Sequence, residues 1–127
     1  MNKEVVVIED DRDILDIIRY ILADEGYNVT GFDRLDGAQQ IVEKQPAVVL
    51  LDNRLADGYG NKFCASLKSN PITAHIPVIL VSASANLEQL AKQCNADAFL
   101  PKPFNLDDLI RIVKRYAETP GTHTKSI

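Results

Sequence analysis

Three consecutive carboxylates, Glu9, Asp10 and Asp11, follow the first apolar run of this 127-residue chain, and further chemistry-bearing residues follow three later runs: Asp52, Ser82 and the pair Lys102-Pro103. Acids this close repel one another unless a cation neutralises them, and Asp52 adds to the repulsion if the fold brings it to the same place. A hard divalent ion such as Mg2+ is the natural remedy. It takes oxygen ligands, keeps several waters, and binds through one or two carboxylates together with phosphate oxygens. The same trio also suits a helix start, with Asp10 or Asp11 as N-cap. A lone Asp52 reads as a turn residue, but beside a metal its carboxylate can act as a nucleophile towards phosphorus. Phosphoryl transfer spreads negative charge over the equatorial oxygens, so the site must supply position, positive charge and hydrogen bonds. Lys102 can supply charge and Ser82 a hydroxyl, although Ser82-Ala83-Ser84 also suits a small-residue loop capping a helix.

For these residues to meet, the runs before them must be strands sharing one end. Five short apolar segments alternate with stretches of helical period: residues 5–8, the weaker 28–32, 47–51, 77–81 and 98–100. That alternation predicts an α/β fold with a parallel sheet covered by helices on both faces. Three of the segments are continuous β-branched or leucine runs, as strands buried on both sides should be. In such a sheet, functional groups gather beyond the carboxyl ends of the strands, which is where the acids, Ser82 and Lys102 fall. Ile14, Ile17, Ile18, Ile21 and Leu22 place an apolar stripe on a first helix ending near Gly26. Leu35, Ala38, Ile41 and Val42 suggest a second helix, stopped before Pro46. Phe63, Cys64 and Leu67 suggest a third, ended by Asn70-Pro71, and Leu87, Leu90, Ala91 and Cys94 a fourth. In the fifth, Asn105 is the expected N-cap, Asp107 and Asp108 favour the positive helix end, and Leu106, Leu109, Ile110 and Val113 form the stripe.

With 46% hydrophobic and 25% charged residues, the chain has the composition of a soluble folded domain rather than a disordered one. One domain over residues 3–117 is expected, with 118–127, containing Pro120 and Gly121, as a flexible tail or the start of a linker. No apolar run has the length of a membrane span, and the start is too short for a secretory signal, so a cytoplasmic location is expected. The net charge of -4 and scattered basic residues argue against direct nucleic-acid binding. Cys64 and Cys94 lack CxxC spacing and read as small apolar side chains inside helices. His75 and His123 read as loop and tail residues without a phosphotransfer role.

The ordered set Glu9-Asp10, Asp52, Ser82-Ala83 and Lys102-Pro103 resembles the response-regulator receiver family of two-component signalling, of the chemotaxis-regulator kind, over essentially residues 3 to 117. The resemblance implies a flavodoxin-like (βα)5 fold with strand order 2-1-3-4-5. It implies that Asp52 accepts a phosphoryl group, that Asp10 is the principal carboxylate ligand of Mg2+, that Glu9 acts mainly through water, and that Asp52 and the backbone carbonyl of Arg54 complete the protein's share. Lys102 would pair with Asp52 across a cis Lys102-Pro103 peptide, and Ser82 would move inward to the phosphoryl group. Phe99, three residues before the lysine, stands at the aromatic switch position, or is an ordinary strand aromatic. Such a protein is not an enzyme beyond catalysing its own phosphorylation and dephosphorylation. Its implied partners are a sensor histidine kinase or histidine phosphotransfer protein, and a downstream protein or fused output domain. The face of the fourth helix, fifth strand and fifth helix would be the readout, with Gln93, Phe99, Arg111 and Arg115 as contacts, and a homodimer could use it too. The alternative is a receiver-shaped interaction module that never carries phosphate. Ala56 departs from the family's usual proline, and Arg54 and Ser84 occupy its two variable flanking positions. A flavodoxin would need a hydroxyl-rich loop where this chain is acidic, and a haloacid-dehalogenase-type phosphatase would need a second acid where this chain has Arg54.

Overall fold

Val5, Val6, Val7 and Ile8 carry apolar groups on both sides of the chain and can be buried only at the centre of a sheet with cover on each face. The computed structural model, which describes residues 3–118, places them there. Numbering only the strands of the main sheet, the order is β1 (Glu4–Ile8), α1 (Arg12–Asp24), β2 (Asn28–Phe32), a 3-10 turn (Leu35–Gly37), α2 (Ala38–Lys44) and β3 (Val48–Asp52). There follow α3 (Gly60–Ser69), β4 (Val78–Ser82), α4 (Leu87–Gln93), β5 (Ala98–Pro101) and α5 (Leu106–Glu118). The five strands are parallel in the order β2-β1-β3-β4-β5, as the family resemblance implied. Arg54–Leu55 and Gly58–Tyr59 form a two-residue antiparallel hairpin between β3 and α3.

Alternate residues of each central strand feed two cores. Val5, Val7, Val48, Leu50, Ile79 and Val81 pack with Leu15, Ile18 and Leu22 of α1 and Leu109, Val113 and Ala117 of α5. Val6, Ile8, Val49, Leu51, Val78 and Leu80 pack with Ile41 of α2, Cys64 and Leu67 of α3, and Leu87 and Ala91 of α4. Both cysteines are buried free thiols in this second core, in keeping with their reading as small apolar groups.

Two residues assigned to buried stripes from their spacing lie at the surface. Ile17 is 53% exposed and Leu106 54% exposed. In α1 the buried residues run Leu15, Ile18, Leu22, so the buried line is shifted towards Leu15 and away from Ile17; in α5 Leu109 and Val113 are buried as expected, continued by Ala117, and Leu106 is exposed at the first residue of the helix. The second helix is also shorter at its start than expected, because residues 35–37 form a 3-10 turn. Both oxygens of the Asp57 carboxylate accept from the Leu35 N–H at 2.9 Å, which satisfies a donor at that turn and ties it to the β3–α3 connection. Glu118 ends α5; the rest of the expected tail, with His123, lies outside the described residues. His75 is exposed between α3 and β4, as expected of a loop histidine.

Candidate functional site

Strand register decides which side chains meet. Ile8 pairs with Leu51, so the next residues, Glu9 and Asp52, leave the sheet at one level; Ser82 pairs with Pro101, which delivers Lys102 to the same end. The Lys102 N–H donates to the Ser82 carbonyl at 2.9 Å, and the Lys102-Pro103 peptide is cis, as the resemblance implied.

One ammonium faces three carboxylates. Lys102 Nζ lies 2.9 Å from Glu9 Oε1 and 3.4 Å from Asp52 Oδ2. Glu9, Asp10 and Asp52 each offer an oxygen within 4.8 Å of the others, so negative charge exceeds positive at this point. An oxygen-rich, under-neutralised cluster of this kind suits a hard divalent cation. Asp11 is not part of it: its Oδ1 accepts from the N–H groups of Asp13 and Ile14, making it the N-cap of α1. The acidic trio is therefore divided between chemistry and helix capping, because the chain turns into α1 directly after Asp10.

Glu9 is only 2% exposed. Burial pushes its carboxyl up, the Lys102 ammonium pulls it down, and the Asp52 carboxylate pushes it up again, leaving it at about 7 against an ordinary 4.5. Burial alone would lower the Lys102 ammonium, but the Glu9 hydrogen bond and the charge of Asp52 outweigh it, and its pKa lies above the usual lysine value. The folded chain thus holds the Glu9 proton more tightly than the unfolded chain does. That contribution to stability is fully present below about pH 4.5 and is lost as pH rises through about 7. A divalent cation entering this cluster would have to compete with this proton. Mg2+ affinity is therefore expected to weaken several-fold between about pH 8 and pH 6, and Glu9→Gln to flatten that dependence. Calorimetric titration across that range is the check; equal affinities at both ends in the wild type would contradict it.

Asp10, Asp52, Asn53, Arg54, Tyr59, Ser82, Ala83, Ser84 and Lys102 line one cavity of about 410 Å³. Asp10, Asp52, Ser82 and Lys102 are therefore gathered at one place, with Glu9 joined to them through Lys102, while Asp11 is not. Ser82 is buried, and its hydroxyl oxygen accepts from the Ser84 N–H at 3.1 Å. Phe99 is the exception. It sits on the edge strand β5, 36% exposed and outside both cores. Asn53 and Tyr59 were not singled out from the sequence. Asn53 carried a signal, a polar residue directly after Asp52 at the end of a buried apolar run, whereas Tyr59 reaches the cavity only through the hairpin that pairs it with Arg54.

The response regulator receiver domain family matches residues 5–114. The chain belongs to that family. Among solved structures, the receiver domain of NtrX from Brucella abortus is 31% identical, with a TM-score of 0.81 over 91% of this chain and 98% of that one. In a longer NtrX chain from the same organism the match spans 29% of the protein, so the receiver there is one part of a larger chain. A CheY-like receiver domain protein from Methanospirillum hungatei JF-1 is 26% identical, with a TM-score of 0.87 over 97% of this chain and 99% of that one. The receiver domain of the sensor histidine kinase PA1611 from Pseudomonas aeruginosa PAO1, solved with a magnesium ion coordinated in its active site cleft, is 21% identical. Its TM-score is 0.85 over 94% of this chain and 100% of that one, a likeness of fold. As a receiver domain of the two-component kind, the chain carries its acidic cluster at the carboxyl end of the sheet, between β1 and β3.

Proposed function

We propose that this receiver domain accepts a phosphoryl group on Asp52 from a phosphohistidine protein and signals through the face formed by α4, β5 and α5. The observation that carries the reading is the convergence of Asp52 with Lys102 at 3.4 Å and with two further carboxylates, under a cavity open to a donor. An Asp52 carboxylate oxygen attacks phosphorus and forms an O–P bond. The P–N bond of the phosphohistidine breaks, its electron pair leaves with the imidazole nitrogen, and that nitrogen takes up a proton. Lys102 stays with the charge as it moves from carboxylate to phosphoryl oxygens. Ser82 accepts a hydrogen bond from Ser84 and keeps its own proton to donate to a phosphoryl oxygen. Glu9, Asp10, Asp52 and the Arg54 carbonyl are the groups that would hold Mg2+, which when bound offsets the crowded carboxylates and the phosphoryl charge. Water attack on the acyl phosphate later returns Asp52 and releases inorganic phosphate.

Drawing Ser82 and Lys102 towards the phosphoryl group moves the loop before α4, and this shifts the population of the α4–β5–α5 face. Phe99 turning in from the edge of β5 is the side-chain part of that shift. Gln93 of α4 is exposed on this face, and Arg111 holds Asp108 at 3.1 Å. The face is the surface offered to a downstream protein, an output domain or a second copy. Titration with beryllofluoride and Mg2+, and mass measurement after acetyl phosphate, test the reading. Uptake of one phosphoryl equivalent supports it, and no uptake with no spectral change would leave a receiver that signals through a fixed surface.

The exposed apolar residues beside the site support a reading of how a protein donor is held. Ile14, Ile17, Pro103, Phe104 and Leu106 line a cavity of about 490 Å³ that shares Ala83 and Lys102 with the acceptor cavity. A protein delivering a phosphohistidine to Asp52 lies across this rim and covers the exposed Ile17 and Leu106. Ile17→Asp and Leu106→Asp are therefore expected to slow transfer from a phosphohistidine protein at least about tenfold while leaving acetyl phosphate labelling unchanged. Equal losses with both donors would place the defect in the site and not in docking.

A further inference from the structure

Asn53 is 8% exposed and nearly all of its hydrogen-bonding groups are accounted for. Its backbone N–H donates to the Val81 carbonyl at 3.1 Å, and its backbone carbonyl accepts from the Gly60 N–H at 2.7 Å. Its side-chain Oδ1 accepts from the Asn61 N–H, in the first turn of α3, at 2.8 Å. Because that partner is a donor, the orientation of the carboxamide is decided: oxygen faces α3, and Nδ2 is the other end. Among the described residues Nδ2 donates no hydrogen bond. A nearly buried amide nitrogen without a partner costs on the order of 1–3 kcal/mol, so such donors are seldom left idle. The residue lines the same cavity as Asp52, Ser82 and Lys102, so the missing acceptor is one that enters the cavity.

We propose that the Asn53 side-chain amide is a further donor to the phosphoryl group on Asp52, an inference that rests on Asp52 being the acceptor. The two residues are neighbours at the end of β3, whereas Ser82 and Lys102 reach the cavity from β4 and β5. A phosphoryl group brings three strong acceptor oxygens into a space already closed in by these elements. The amide meets one of them without adding charge to a site whose ammonium is already shared between Glu9 and Asp52. Asn53 thereby has two duties, with Oδ1 organising the start of α3 and Nδ2 holding the phosphoryl oxygen in place.

The two duties separate experimentally. Asn53→Asp keeps an acceptor for the Asn61 N–H and removes the N–H donor. In the 15N-labelled full chain, saturation with Mg2+ and beryllofluoride, whose tetrahedral anion stands in for the phosphoryl group, is expected to shift the Asn53 side-chain amide resonances and slow their hydrogen exchange. Asn53→Asp, which also brings a further carboxyl beside Asp52, is expected to unfold at a somewhat lower temperature and to bind beryllofluoride about tenfold more weakly. If backbone amides around Asp52 and Ala83 shift while the Asn53 side chain does not, the acceptor reading stands and this inference falls. If no resonance moves, both fall together. Wild-type affinity in Asn53→Asp also overturns the inference.

Discussion

Asp52→Asn is expected to take up no phosphoryl group from acetyl phosphate or from a phosphohistidine protein, with the fold intact. The carboxamide has no anionic oxygen to attack phosphorus, and no other carboxylate in the cluster can replace it. Glu9 is 2% exposed and held by Lys102, and Asp11 is spent on the start of α1. Asp10 remains, but the Lys102 ammonium pairs with Glu9 and Asp52 and not with Asp10. The fold is expected to survive because the substitution removes a like charge from a crowded site. Glu9 loses a neighbour that raises its pKa, while Lys102 keeps the 2.9 Å contact with Glu9. The unfolding temperature should therefore stay within about 3 °C of the wild type. Intact-mass measurement after acetyl phosphate with Mg2+, beside a thermal melt, checks both halves. A phosphorylated Asp52→Asn protein would mean that the acceptor is elsewhere.

Gly60→Ala should be the most damaging glycine-to-alanine change among Gly26, Gly31, Gly58 and Gly60. Gly60 opens α3 directly against the end of β3, and a Cβ there would overlap the Asp52 carbonyl oxygen and stand 3.0 Å from Asn53 Cα. Both obstacles are backbone, so no flexible side chain can give way. Strand β3 cannot yield easily either, since it is hydrogen-bonded to β1 on one side and β4 on the other. The first turn of α3 must move instead, breaking the Gly60-to-Asn53 and Asn61-to-Asn53 hydrogen bonds and shifting the hairpin that carries Arg54 and Tyr59. A destabilisation of about 3 kcal/mol is expected. That corresponds to a fall in unfolding temperature of roughly 10 °C, accompanied by loss of beryllofluoride binding. Gly26→Ala is the control. Gly26 has φ +96° with open space where a Cβ would go, so only its left-handed backbone conformation is penalised, by about 1 kcal/mol. Equal melts for Gly60→Ala and the wild type, with beryllofluoride still bound, would show that the Asp52 backbone is free to move.

The chemistry was legible along the chain because each reactive residue lies at or just past the end of an apolar run. Burial of Val5–Ile8, Val48–Leu51 and Val78–Val81 on both faces forces parallel packing, and parallel strands carry their last residues to one end. Glu9, Asp10, Asp52, Ser82 and Lys102 could therefore be placed together before any contact was known. Helix stripes were less legible, since Ile14, Ile17, Ile18, Ile21 and Leu22 satisfy helical spacing equally well with the buried line running through Ile17 or through Leu15. The choice depends on how α1 sits against β1, β2 and α5.

Composition, strand-end motifs and their order by themselves determined the α/β class, the membership of the receiver family and the set of residues that meet. Only the tertiary structure decided how Glu9, Asp10 and Asp11 divide between the carboxylate cluster and the helix cap, which isoleucine and leucine form the rim beside Lys102, and that Asn53 holds α3 with its oxygen and leaves its side-chain nitrogen unpartnered. The physical reason is range. Strand burial and side-chain alternation are properties of a few successive residues, whereas helix rotation, the balance of one ammonium against three carboxylates, and the pairing of a buried amide depend on groups up to ninety-three positions apart in the chain, as Glu9 and Lys102 are.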